Sequence, residues 1–158
     1  MSYQIKVMTQ KQAEDIAFNW RYDGEYSFYD MVADEEDLSE FVDPESRGKS
    51  TYAVMSNNDL IGFFSVNKVY EHTYDIGLGM KPDLTGKGNG LKFLNEGIKF
   101  VIQEFEAERI TLSVATFNQR AINLYKKVGF KEINIFMQET NDDCFEFQRM
   151  EYECRKGD

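Results

Sequence analysis

Three glycines at alternate positions, Gly86, Gly88 and Gly90, close the segment Gly79-Met80-Lys81-Pro82-Asp83-Leu84-Thr85-Gly86-Lys87-Gly88-Asn89-Gly90. An apolar, strand-like run precedes it and an amphipathic helical pattern follows. The glycines strip the turn of side chains, so backbone N–H groups can converge on an anion together with those exposed at the helix N-terminus. A phosphate-bearing ligand is the natural occupant. The spacing excludes two common phosphate loops. A Walker loop needs glycine at 81, where Lys81 stands, and Ser or Thr after Gly-Lys, where Gly88 stands. A dinucleotide fingerprint needs the third glycine one residue later.

A second segment, Asn118-Gln119-Arg120-Ala121-Ile122-Asn123-Leu124-Tyr125-Lys126-Lys127-Val128-Gly129-Phe130, follows after one helix plus one strand of sequence. Together the two segments resemble the GNAT N-acetyltransferase superfamily, over residues 72–133. The pyrophosphate loop of that family reads Arg or Gln, two residues, Gly, one residue, Gly or Ala. It maps here onto Thr85, Gly88 and Gly90, with Thr85 a shorter and uncharged departure. The second segment of the family is an Asn opening a helix that ends in Tyr and Gly-Phe.

The resemblance implies an acyl-CoA N-acyltransferase fold of α+β class, with a mostly antiparallel sheet of about seven strands and about four helices. It implies acetyl-CoA as cosubstrate, held by Leu78, Gly79, Met80, Thr85, Gly86, Lys87, Gly88, Asn89, Gly90, Asn118, Ala121 and Tyr125. The implied reaction is transfer of the acetyl group to a primary amine of a small molecule or peptide, by direct attack in a ternary complex. A non-catalytic acyl-CoA-binding or sensing module on the same fold is the alternative.

The rest of the chain agrees with one domain over residues 1–158. Thr9 with Gln12 reads as a capping box before a helix through Ala13, Ile16, Ala17 and Trp20. An aromatic stretch (Trp20, Tyr22, Tyr26, Phe28, Tyr29) reads as a loop or broken helix. A short acidic helix spans 35–42, before Pro44. Strands at 51–56 and 60–69 form a hairpin about Asn57-Asn58-Asp59. A strand at 74–80 enters the glycine loop. Leu91, Leu94, Ile98, Val101, Ile102 and Phe105 then make a helical stripe. Ile110, Leu112 and Val114 alternate as a strand, Asn118 caps a helix ended by Gly129-Phe130, and two strands, about 133–138 and 145–152, close the order.

Tyr125 is the first candidate catalytic residue: a phenol can donate a proton to a leaving thiolate. Its alternative is a core position on the helix. For the base that must deprotonate an ammonium acceptor, Asp75 on the third strand is favoured over Glu71 and over His72, the single histidine; water alone is a further route. With one histidine, no nucleophile triad can be assembled. Gly77 and Gly79 flank Leu78 and mark a bulge or a close backbone approach.

A net charge of −10 argues against nucleic acid as the main partner. Ten acidic residues lie between Asp23 and Glu45 without one Lys or Arg. They read as a solvated helix face, compatible with a field drawing in a cationic amine. Trp20, Tyr22, Tyr26 and Tyr29 are expected to line that acceptor site. No apolar run reaches the roughly 18 residues of a membrane span, no secretory leader is visible, and Cys144 and Cys154 form no framework. The expectation is a cytoplasmic protein without metal or membrane partner, compatible with a homodimer.

Overall fold

The computed structural model describes residues 3–22, 24–30, 33–84, 88–141 and 143–154. In chain order the elements are β1 (Gln4–Val7), α1 (Gln10–Asn19), a 3-10 helix (Gly24–Tyr29), α2 (Glu35–Val42), α3 (Pro44–Arg47), β2 (Thr51–Ser56), β3 (Asp59–Tyr70), β4 (Thr73–Met80), a 3-10 turn (Pro82–Leu84), α4 (Gly90–Phe105), β5 (Arg109–Ala115), α5 (Gln119–Val128), β6 (Lys131–Thr140) and β7 (Asp143–Glu153). The strands form one seven-stranded sheet of order β1-β2-β3-β4-β5-β7-β6. β4 and β5 run parallel, joined by the α4 crossover that a parallel pair requires. This is the expected α+β class, with α3 as an unforeseen fifth helix. No described helix is long and apolar enough to cross a membrane.

The chain divides into two compact units. One comprises Met1–Phe64, Leu78–Thr85 and Glu139–Asp143; the other comprises Ser65–Gly77, Gly86–Gln138 and Cys144–Asp158. In the first unit, Thr9 caps α1 through a complete capping box with Gln12. That helix buries Ala13, Ile16 and Ala17. Met8, Ala13, Ile16, Trp20 and Ala53 form a core on which Phe41, Leu60 and Phe63 pack. The last carbonyls of α2 are satisfied from neighbouring helices: Arg47 Nη1 donates to Phe41 O (2.7 Å) and Gln10 Nε2 to Val42 O (2.8 Å). Asn57 and Asn58 carry φ of 51° and 68°, both positive as a type I′ hairpin turn requires.

In the second unit, α4 turns Phe93, Leu94, Gly97, Ile98 and Val101 inward. Phe93 takes the place on the core stripe expected of Leu91, which is 38% exposed. Ile110, Leu112 and Val114 of β5 are buried, as are Ile122, Phe130 and Met150.

The two β4 glycines make room for β3 side chains. A Cβ on Gly77 would stand 2.6 Å from Ser65 Oγ, and one on Gly79 only 2.3 Å from Phe63 Cε1. The Phe63 ring is held in turn by Phe41 (centroids 5.4 Å) and Trp20 (6.3 Å). Gly79→Ala should therefore lower unfolding free energy by about 1–3 kcal/mol, the usual cost of overpacking. Urea titration checks it; an unchanged midpoint and slope would mean that Phe63 moves aside freely.

Candidate active site

The parallel β4–β5 register runs from Thr73↔Arg109 through Tyr74↔Ile110 to Asp75↔Thr111. β4 continues to Met80, so only its first three residues are matched to β5 in that register. Asp75 sits at the last matched pair. Its Oδ1 accepts from Thr111 Oγ1 at 2.7 Å. Burial pushes its carboxyl above the ordinary aspartate range, against the opposing pull of the Thr111 hydroxyl and the Arg149 charge. Thr111 was not singled out in the sequence. The available signal was its place between Arg109 and Ser113 on the polar side of an alternating strand. Glu71 and His72, the other base candidates, lie in the exposed β3–β4 turn. There His72 has φ of 52° and faces Glu108 (Nε2–Oε2 3.9 Å).

Thr85, Gly86 and Lys87 lie outside the described residues. Gly88 has φ of 81°, and a Cβ there would meet nothing within 4 Å. Asn89 precedes α4 in helical conformation and makes no side-chain capping bond. Every other α-helix has one: Thr9 caps α1, Asp34 caps α2, Asp43 caps α3 and Asn118 caps α5. Among the described residues α4 thus starts without a bond from its N-cap side chain; N–H groups at a helix start are suited to an anion. Gly90 has a packing reason of its own, because a Cβ there would come 2.8 Å from Leu124 Cδ2.

On α5, Asn118 Oδ1 accepts from Ala121 N–H at 3.1 Å. The helix ends in a Schellman motif. Phe130 N–H donates to Tyr125 O at 3.0 Å and Gly129 N–H to Lys126 O at 3.1 Å. Gly129 has φ of 126°. The accompanying hydrophobic contact is Tyr125 against Phe130, centroids 5.8 Å apart. Tyr125 is 8% exposed, so the motif fixes both ends of this tyrosine's turn, backbone and ring.

In the first unit, the aromatic stretch separates by role. Trp20 is 5% exposed and belongs to the core, a placement that the expectation of an acceptor-lining ring did not foresee. Tyr22 donates its hydroxyl to Met80 O at 2.7 Å, and its N–H donates to Asp30 Oδ1 at 2.8 Å. Burial, with Asp30 adding to it, drives the Tyr22 phenol far above its ordinary value, so it stays protonated and keeps this bond. Tyr26 and Tyr29 are half-buried on the 3-10 helix. Asp23 lies outside the described residues.

Much of the acidic run has structural posts. Glu35, Glu36 and Asp37 occupy the first turn of α2, where the helix dipole favours them. Asp34 accepts from the N–H groups of Asp37 (2.9 Å) and Asn141 (2.7 Å), which hold its carboxyl below the usual range.

Solved structures share this fold at low sequence identity. An acetyltransferase of the GNAT family from Bacillus anthracis superposes with a TM-score of 0.74 at 20% identity, covering 97% of this chain and 95% of that one. Spermidine N-acetyltransferase from Vibrio cholerae, solved in complex with CoA and spermine, gives 0.75 at 18% identity, covering 96% and 95%. Among curated proteins, an N-alpha-acetyltransferase of Sulfurisphaera tokodaii is 42% identical over 48 residues, 30% of this chain and 29% of that protein. A mycothiol acetyltransferase of Propionibacterium freudenreichii is 37% identical over 57 residues, 36% of this chain and 18% of that protein. These matches span less than a third of either curated relative. Residues 11–130 match the profile of the acetyltransferase (GNAT) family. With about three quarters of its length inside that match, the chain belongs to the GNAT acetyltransferase family.

Proposed function

We propose that this protein transfers an acetyl group from acetyl-CoA to a primary amine of a small molecule or peptide, by direct attack in a ternary complex. The observation that carries the reading is the match of residues 11–130 to the acetyltransferase (GNAT) family, joined by the entry to α4 through Gly88 in positive φ. N–H groups at a helix start fit a pyrophosphate. Thr85, Gly86, Lys87, Gly88, Asn89 and Gly90 form the proposed cradle. Leu78, Gly79 and Met80 on β4, with Asn118 and Ala121 on α5, are the proposed contacts to the pantetheine arm.

Bound acetyl-CoA supplies an activated thioester: the amine nitrogen bonds to the carbonyl carbon, the C–S bond breaks, and the electron pair leaves on sulfur. Tyr125 gives its hydroxyl proton to that sulfur and is reprotonated by the second proton that the nitrogen sheds as the amide forms, relayed through water. Asp75 takes the ammonium proton of the acceptor, directly or through water; its burial and raised pKa make it a better base than an ordinary aspartate. Tyr26 and Tyr29 are proposed for the acceptor side. Tyr22 acts as a positioning residue there, by holding the Met80 carbonyl. The acidic run favours a cationic acceptor, and the Vibrio cholerae relative was solved with spermine. Polyamines therefore head the panel of amines to be tested by thiol release. No release with any amine would contradict the proposal.

Asp75 also makes the proposal pH-dependent. With Asp75 as base, kcat/KM falls as pH drops through its pKa, which lies above the ordinary 3.8. Asp75→Asn should lower kcat by roughly 10²-fold or more and remove that acid limb. Stability moves the other way. A raised folded-state pKa favours the protonated form, so the contribution of Asp75 is present below the unfolded pKa and lost as pH rises through the folded value. Asp75→Asn should thus raise Tm at neutral pH, with the gain shrinking toward the acid range. A full-rate variant keeping the acid limb would remove Asp75 from the chemistry.

A further inference from the structure

We infer that β6 is a dimerisation strand, which pairs antiparallel with β6 of a second copy about a two-fold axis at Ile135. The inference is independent of the catalytic reading. β6 is the terminal strand of the sheet, flanked by β7 alone. It is ten residues long and exposed over most of that length. Ile133, Ile135 and Met137 alternate along it and are 52%, 56% and 59% exposed. Alternation puts all three on one face, with Lys131 and Glu139 beyond them at either end. The usual protections of an edge strand are a short length, a proline, a bulge or a central lysine. The sequence from Lys131 to Thr140 has no proline or glycine, and its only lysine is at the end. The opposite edge, β1, is only four residues long and carries Lys6.

The pattern of β6 also names its partner. In an antiparallel self-pair centred on Ile135, Ile135 faces its own copy and Ile133 faces Met137. Lys131 faces Glu139, once at each end. Directly opposed residues share a face, so this register forms an apolar strip closed by two ion pairs. Among the described residues neither Lys131 nor Glu139 is engaged in an ion pair within the chain; the neighbouring pair is Lys126 with Glu132. A slip of one place would set Glu132 against Glu139 and Ile133 against Gln138, which register specificity disfavours. The fit is self-complementary, as a two-fold interface must be.

Sedimentation equilibrium of the full chain tests this. The wild type should weigh twice its 18.5 kDa at micromolar concentration. Ile135→Lys puts two like charges opposite each other and should raise the dimer Kd roughly tenfold or more. Lys131→Glu and Glu139→Lys should each weaken the dimer, and the double variant Lys131→Glu/Glu139→Lys should recover it. Circular dichroism confirms that each variant is folded. A monomeric wild type, or Ile135→Lys with an unchanged Kd, would overturn the proposal. A double variant as weak as the singles would overturn the register.

Discussion

Tyr125→Phe should lower kcat by about 10²–10⁴-fold, the range for loss of a general acid, while the affinity for acetyl-CoA barely changes. The substitution keeps everything the structure gives this residue apart from its hydroxyl. The Schellman bonds use the Tyr125 backbone carbonyl, and the contact with Phe130 uses the ring. Fold and helix end therefore survive, so a fall in rate reports on the O–H group. The measurement is initial velocity at saturating substrates, with rapid-quench data to establish that chemistry limits the rate. Near-wild-type turnover under those conditions would reduce Tyr125 to a core residue.

Gly88→Val should raise the Kd for acetyl-CoA by about 10–10²-fold, the equivalent of roughly one hydrogen bond to a charged group. Gly88 has φ of 81°, a conformation that a β-branched side chain resists. To relieve it, the backbone must rotate, and the N–H groups at the entrance to α4 rotate with it. A Cβ at 88 meets no neighbour within 4 Å, so the cost is conformational and the fold should remain. Gly88→Ala, with a smaller penalty in the left-handed region, should show a smaller loss. Calorimetric titration decides the matter. An unchanged Kd for the valine variant would sink the phosphate cradle, whatever its effect on rate.

Local chemistry was legible in the sequence because its causes are local. The Thr9–Gln12 capping box, the Asn118 cap and the Gly129-Phe130 helix end each depend on a few consecutive residues, and each stands where the pattern placed it. What stayed hidden has causes elsewhere in the chain. α3 is four residues long, too short to be read from periodicity, and its Arg47 is tied to Phe41 and Gln10. Gly79 owes its place to the Phe63 ring on the neighbouring strand. Trp20 looked like part of an aromatic wall because Tyr22, Tyr26 and Tyr29 follow it, yet the α1 stripe carries it into the core. Glu106 ends α4 in the left-handed region with φ of 54°, where glycine is the usual signal. Of the candidate site, Asp75, Asn118 and Tyr125 were singled out by residue type and spacing. The polar position of Thr111 was legible in the alternation, but its pairing with Asp75 was not, because that depends on the β4–β5 register.

The most direct measurement is a single-turnover reaction with acetyl-labelled acetyl-CoA and an amine that supports thiol release. Product amine, free CoA and intact enzyme mass are followed in the same quenched samples. Direct transfer predicts one acetylated amine formed for each thiol released, no release in the absence of amine, and no acetylated enzyme at any time. Thiol release without amine, or an acetyl group residing on the protein before the product appears, would contradict it.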